Sequence, residues 1–114
     1  MITAVFTKDR EGNISSFSIS GHAGFADAGQ DIVCAAVSAL SFNTVNAIET
    51  LVQTPIQYNA ETDGFLVCTL QDPHQKDAQL LLQALALGLK QIRKDYGKEF
   101  LTVRFQAVDS TIEI

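Results

Sequence analysis

One change of pattern early in the chain constrains the fold more than any other feature. Apolar and polar residues alternate through Ile14–Ser20, which is the period of a strand, and helical spacing begins at Ile32. The segment between them, Gly21–Gln30, is rich in glycine and alanine, which predicts a loop. A strand therefore leads through one loop into a helix, and the loop is long enough to fold back between them.

The remaining patterns predict five strands and two helices in the order β-β-α-β-β-α-β. The predicted strands are Ile2–Thr7, Ile14–Ser20, a short strand holding Ile56 and Tyr58, Phe65–Leu70 and Phe100–Val108. The predicted helices are Ile32–Gln53, stopped by Pro55, and a second helix that Asp72-Pro73 opens and Tyr96-Gly97 ends. Asp63-Gly64 marks a hairpin turn, and Asp109–Ile114 is a tail or an extension of the last strand.

This order favours an α+β fold, in which two long helices pack on a mixed sheet within one domain, residues 1–114. Apolar residues at helical spacing predict the core faces. They are Val33, Val37, Leu40, Ala47, Ile48 and Leu51 in the first helix, and Ala78, Leu81, Leu82, Leu85, Leu89 and Ile92 in the second. Leu101, Val103, Phe105 and Ala107 are expected to face inward from the last strand. Leu80, Ala84 and Leu87 add further apolar surface, which predicts either a dimer face or wide burial.

Composition excludes several classes of function. The net charge of −5 argues against a nucleic-acid footprint and weakly favours a basic partner. We expect no membrane segment, because no apolar run approaches about 20 residues, and no signal peptide, so the default location is the cytoplasm. Two cysteines and two histidines match no zinc pattern, and no nucleotide-binding glycine motif is present. We therefore expect no metal and no cofactor.

The pair His22 and Cys34 predicts chemistry at the strand-to-helix connection. Asp31 stands where a helix N-cap would, which makes Cys34 the third helical residue, in the first turn. That position favours a thiolate, and an imidazolium from His22 would favour it further. Eleven residues, Gly24 and Gly29 among them, separate the pair. Free cysteines are more often inert and buried, but this context favours a Cys-His nucleophilic pair. Strand alternation places His22 on the outward row, if the strand reaches it.

Other residues near the pair have alternative interpretations. Asp31 either only caps the helix or also orients His22 in the manner of a triad. Ser38, one turn after Cys34, lies where it can hydrogen-bond nearby polar groups. The loop with Phe25 is either a simple connection or a mobile flap whose aromatic ring acts as a gate. Further along the chain, Cys68 is expected in packing and His74 on the surface.

The joined motifs Gly21-His22-Ala23-Gly24 and Asp31-Ile32-Val33-Cys34-Ala35-Ala36-Val37-Ser38 resemble those of the Prp family of ribosomal-processing cysteine proteases. The resemblance covers essentially the whole chain. It implies His22 and Cys34 as the catalytic dyad and Asp31 and Ser38 as supporting residues. It also implies a homodimer, a moving Gly-rich loop, and a substrate: the precursor of large-subunit ribosomal protein number twenty-seven, whose hydrophobic N-terminal extension the family removes.

Two other functions remain open from the sequence. A non-catalytic, ribosome-associated binding module would use the loop and the apolar face without needing a reactive thiol. A thiol redox enzyme would need a resolving cysteine, for which Cys68 is the candidate, although its place within a hydrophobic strand argues against that.

Overall fold

The chain folds into five strands and two α-helices in the predicted order, over the residues that the computed structural model describes, 1–27 and 29–108. The strands are β1 (Ile2–Lys8), β2 (Ile14–Ser20), β3 (Ile56–Asn59), β4 (Phe65–Leu70) and β5 (Leu101–Ala107). The helices are α1 (Ile32–Ala47), which continues as a π-helical turn (Ile48–Val52), and α2 (Lys76–Tyr96). The α+β class is confirmed, and the predicted tail lies outside the described residues.

The strands form one mixed sheet in the order β3-β4-β2-β1-β5. Neighbouring strands run antiparallel except β1 and β5, which are parallel because α2 carries the chain back across the sheet before β5 begins. In the antiparallel pair of β2 and β4, Ser20 lies opposite Phe65. This register brings the turn between β3 and β4 beside the end of β2, where His22 follows.

Both helices contribute to a single core on one face of the sheet. Strand residues in this core include Ile2, Ala4, Phe6, Phe17, Ile19, Leu66, Cys68, Leu70 and Leu101. The opposite face of β2 carries Ser16, Ser18 and Ser20, which are half-buried. This alternation is the predicted one, and it leaves the helices on one side of the sheet only.

The predicted core face of α1 is correct at its start and wrong at its end. Val33, Val37 and Ile48 are buried, but Leu51 is 78% exposed. The reason is the π-helical turn: its wider i→i+5 spacing rotates Leu51 away from the face that α-helical spacing predicts. The turn ends at Gln53, whose φ of 60° is left-handed, two residues before Pro55.

The expectation that no stretch is long and apolar enough to cross a membrane is also wrong. Ile32–Val52 meets that criterion by length and composition, with a mean hydropathy of 1.4. Its alanines and branched residues raise the mean although serine, asparagine and threonine interrupt the run. A core helix meets the same criterion, and α1 packs against the sheet and α2.

Fewer apolar residues of β5 and α2 are buried than the sequence predicts. Leu101 is buried in β5, but Phe105 is 39% exposed and Ala107 is exposed, because β5 is an edge strand with no neighbour on its outer side in the described part of the chain. On α2, Leu80 and Leu87 are 65% and 72% exposed, so the prediction of wide burial within the chain is wrong. Their apolar surface faces outward.

Candidate active site

Asp31 joins the start of α1 to the loop that precedes it. Its Oδ1 accepts hydrogen bonds from the backbone N–H groups of Val33 and Cys34, both at 3.0 Å, as the predicted N-cap should. Its Oδ2 accepts from Phe25 at 2.9 Å and Ala26 at 3.4 Å. These bonds, led by that from Cys34, lower the pKa of Asp31 below its ordinary value despite its burial. Both carboxylate oxygens are therefore engaged with backbone donors.

The Cys34 sulfur lies at the boundary between core and surface. The side chain is partly buried in the first turn of α1, where it packs against the core. The backbone N–H of Ala23 donates to Sγ at 3.2 Å. A donor aimed at sulfur and the positive end of a helix both favour negative charge on that atom. The sulfur thus combines access with electrostatic support.

His22 reaches the same region by a break in the strand. β2 ends at Ser20, and Gly21 turns the chain with a φ of +92°, so the predicted outward alternation does not extend to His22. Gly21 is required here because a Cβ would overlap the carbonyl oxygen of Met1 as well as force an unfavourable φ. His22 then lines the same two cavities as Cys34. No hydrogen bond joins the two side chains among the described residues.

The partner of His22 comes from the turn between β3 and β4. Its Nε2 lies 3.7 Å from Oδ2 of Asp63, and both side chains are largely exposed. The Gly21 N–H donates to the carbonyl oxygen of Gly64 at 2.8 Å, which ties this turn to the residue before the histidine. The alternative in which Asp31 orients His22 finds no such contact among the described hydrogen bonds.

Two cavities meet at the His22–Cys34 pair. One, of about 240 Å³, runs under the β3–β4 turn toward the core and has mostly apolar walls. Its lining residues include Ile2, Ile19, Val37, Phe42, Phe65 and Leu66. The other, of about 590 Å³, lies along the Gly-rich loop and includes Gly24, Gly29, Asp31 and Asp63. Ser38 lines both cavities, one turn after Cys34 as predicted.

The hydroxyl of Ser41 lies buried in the wall of the smaller cavity. The residue is 1% exposed, and its Oγ has no hydrogen-bond partner among the described residues. Sequence patterns did not indicate Ser41, because serine within a helix is ordinary. A buried hydroxyl without a partner is unfavourable, so a group that enters the cavity and bonds to it would be stabilised.

Phe25 fastens the loop to the far end of α2. Its ring meets Tyr96 and Phe100 edge-on, with centroid distances of 5.7 Å and 5.1 Å. The ring remains 40% exposed. The loop is therefore held on one side by Asp31 and on the other by this aromatic contact.

Comparison with known proteins shows the family to which this chain belongs. A model of the family described as cysteine protease Prp matches residues 1–100. This chain belongs to the Prp family. It is 36% identical, over 101 residues, to the ribosomal processing cysteine protease Prp of Bacillus subtilis, covering 84% of this chain and 90% of the relative.

Solved structures of Prp from S. aureus have the same fold. A complex with a covalently linked product peptide superposes with a TM-score of 0.88 at 33% identity, covering 93% of this chain and 100% of the other. A complex with a substrate peptide gives a TM-score of 0.83 at 32% identity, with the same coverage.

Membership of the Prp family decides between the classes that the sequence left open: the chain is a cysteine protease. The other cysteine does not suit the chemistry, because Cys68 is buried on the inner face of β4. Burial, with the charge of Glu49, raises the pKa of the Cys68 thiol to about 11. His74 is exposed near Glu11, as predicted. The described residues contain no group of three or more potential metal ligands.

Proposed function

We propose that this Prp-family protease removes the N-terminal extension of the precursor of large-subunit ribosomal protein number twenty-seven, with His22 and Cys34 as its catalytic dyad. The observation that supports the dyad is the environment of the Cys34 sulfur. It lies in the first turn of a helix, accepts a hydrogen bond from a backbone N–H group, and lines two cavities together with His22. The processing role is supported by relatives that are ribosomal processing proteases.

In this mechanism the Cys34 thiolate attacks the carbonyl carbon of the scissile peptide bond and forms a tetrahedral oxyanion. His22, as the imidazolium, gives its proton to the departing amine when the C–N bond breaks. A thioester joins the new carboxyl end of the extension to Cys34. Water, deprotonated by His22, then attacks the thioester and releases the acid and the thiol.

The loop supplies the best donors for the oxyanion. In the first turn of α1, the N–H groups of Val33 and Cys34 bond to the side chain of Asp31, and that of Ala35 bonds to its carbonyl. Those donors are directed at Asp31 and not at the sulfur, which favours the adjoining loop. We propose the Ala23 N–H, already directed at the sulfur, as one such donor.

The cavity and the charge of the chain fit a hydrophobic segment on a basic protein. The apolar walls beside Cys34 would accept side chains of the hydrophobic extension that the family resemblance implies. The net charge of −5 would attract a basic ribosomal protein, and that attraction should weaken as salt rises.

We further propose that the loop is a flap. Gly21, Gly24 and Gly29 have positive φ values, and Phe25 is the contact that keeps the loop closed against α2. Opening would enlarge the approach to the sulfur along the larger cavity, which this loop lines.

Homodimerisation in the cytoplasm completes the proposal. The exposed surface of α2 around Leu80, Ala84 and Leu87 is the candidate dimer face. Sedimentation of the wild type and of Leu87→Asp tests it: the wild type should sediment as a dimer and the variant as a monomer at the same concentration.

Cleavage of the precursor tests the central proposal. Purified protein is incubated with the precursor, and mass spectrometry identifies the fragments. We expect one cut that releases the extension, complete loss of cleavage in Cys34→Ala, and retained cleavage in the matched variant Cys68→Ala once its stability is verified. Persistent processing by Cys34→Ala would rule out the assignment.

A further inference from the structure

The turn between β3 and β4 contacts both the backbone before His22 and the ring itself. The hydrogen bond from Gly21 to the carbonyl of Gly64 fixes the turn at the end of β2. A Cβ built on Gly64 would lie 2.7 Å from Nε2 and 3.0 Å from Cε1 of His22. The imidazole thus occupies space that is free because residue 64 has no side chain.

We propose that Gly64 is a positioning residue, which holds the His22 imidazole in the orientation that proton transfer requires. The proposal rests on the proposed function in one respect, the use of His22 as proton donor. Nε2 lies 3.7 Å from Asp63 and beside Gly64, so in this proposal Nδ1 is the nitrogen that exchanges a proton with the sulfur. The turn therefore selects both the place of the ring and the nitrogen it presents.

Charge contributes less to this positioning than shape does. The side chains of His22 and Asp63 are 63% and 97% exposed, and ion pairs between exposed groups contribute little because water and salt screen them. The contact at Gly64, in contrast, does not depend on charge. We therefore assign the positioning to Gly64 and a minor part to Asp63.

A side chain at residue 64 should disturb the ring more than the fold. The imidazole is the end of a rotatable side chain and can turn away from a new Cβ, whereas the Gly21 carbonyl oxygen, 3.2 Å from that Cβ, belongs to the backbone and has less freedom to move. The φ of Gly64 is +73°, so alanine there is also strained. Gly12 offers a matched control: its φ is +85°, and nothing lies within 4 Å of an added Cβ.

Alanine variants of Gly64 and Gly12 test the proposal, with asparagine variants at both positions as a second set because asparagine tolerates positive φ. We expect the Gly64 variants to lose about tenfold to a hundredfold in kcat, as small misplacements of a catalytic group do. The Gly12 variants should stay within about twofold of wild type. The chain has two histidines, so imidazole NMR signals of His22 should shift in the Gly64 variants while those of His74 stay.

Gly64→Asn with kcat within about twofold of wild type would overturn the positioning role and leave the proposed function intact. A loss of kcat without movement of the His22 signals would also overturn it. Full activity of His22→Ala would instead overturn the proposed function itself, so the two failures are distinguishable.

Discussion

Alkylation of the native protein should separate its two cysteines by a large factor. Cys68 is fully buried, and its pKa is raised from an ordinary 9.0 to about 11. This difference of about two units leaves about a hundredfold fewer thiolates at neutral pH, because each unit changes the thiolate-to-thiol ratio tenfold. Burial adds a second obstacle, since iodoacetamide reaches this thiol only when β4 opens. Cys34, in contrast, is only partly buried and lies beside two cavities.

The assay is a time course of iodoacetamide labelling at pH 7.5, read by peptide mass spectrometry. We expect one label, on Cys34, and a rate at Cys68 at least about a hundredfold below that of free cysteine until urea unfolds the chain. Cys34→Ala should take up no label while folded. Native labelling of Cys68 within about tenfold of free cysteine would refute this account of its burial. At pH 6, labelling of Cys34 no faster than free cysteine would contradict its assignment as the activated nucleophile.

Three further perturbations have expected outcomes. The side chain of Gln79 is hydrogen-bonded to both the N–H and the carbonyl of Ile14. Gln79→Ala leaves these two buried groups unpaired, at a cost of about 1–3 kcal/mol each, so urea melts should show a loss of about 2–6 kcal/mol in the free energy of unfolding. Alanine at the exposed Gln83 is the control and should change that free energy little. The pKa of Asp31 is lowered in the folded protein, so the carboxylate contributes its full stabilisation above about pH 4 and loses it as pH falls through the folded-state pKa. The difference in Tm between wild type and Asp31→Asn should therefore shrink below about pH 4. A difference in Tm that stays constant with pH would contradict this. Phe25→Ala removes two aromatic contacts of about 0.5–1.5 kcal/mol each, so amide exchange in the loop should accelerate, and unchanged exchange would contradict its closing role.

Local patterns predicted most of the elements because most of the elements are decided locally. The alternation in β2, the cap at Asp31 and the end of α2 at Gly97 each depend on a few adjacent residues, and each lies where predicted. The π-helical turn after Ala47 depends instead on how the end of the helix packs, and periodicity alone assumes uniform spacing. Under that assumption Leu51 falls on the core face of the helix, whereas the structure places it in solvent.

The site shows the same division between local and distant determinants. Positions of Cys34 at N3 and Asp31 at the N-cap followed from four adjacent residues. The pair Asp63-Gly64 predicts a hairpin turn, but the approach of that turn to His22 depends on the register between β2 and β4, which no local pattern specifies. The sequence suggests Asp31, nine residues after His22, as a partner of the ring, whereas the carboxylate beside the ring belongs to Asp63, about forty residues away.

The two carboxylate oxygens of Asp31 bind different segments of the chain, which matters for the proposed flap. Oδ1 holds Val33 and Cys34, which belong to α1, and Oδ2 holds Phe25 and Ala26, which belong to the loop. A loop that opens must release the bonds to Oδ2 but can leave those to Oδ1 intact. The helix start, and with it the position of the sulfur, would then stay fixed while the entrance changes. Because one carboxylate serves both, loss of Asp31 should loosen the loop and the nucleophile together, whereas loss of Phe25 should loosen the loop alone.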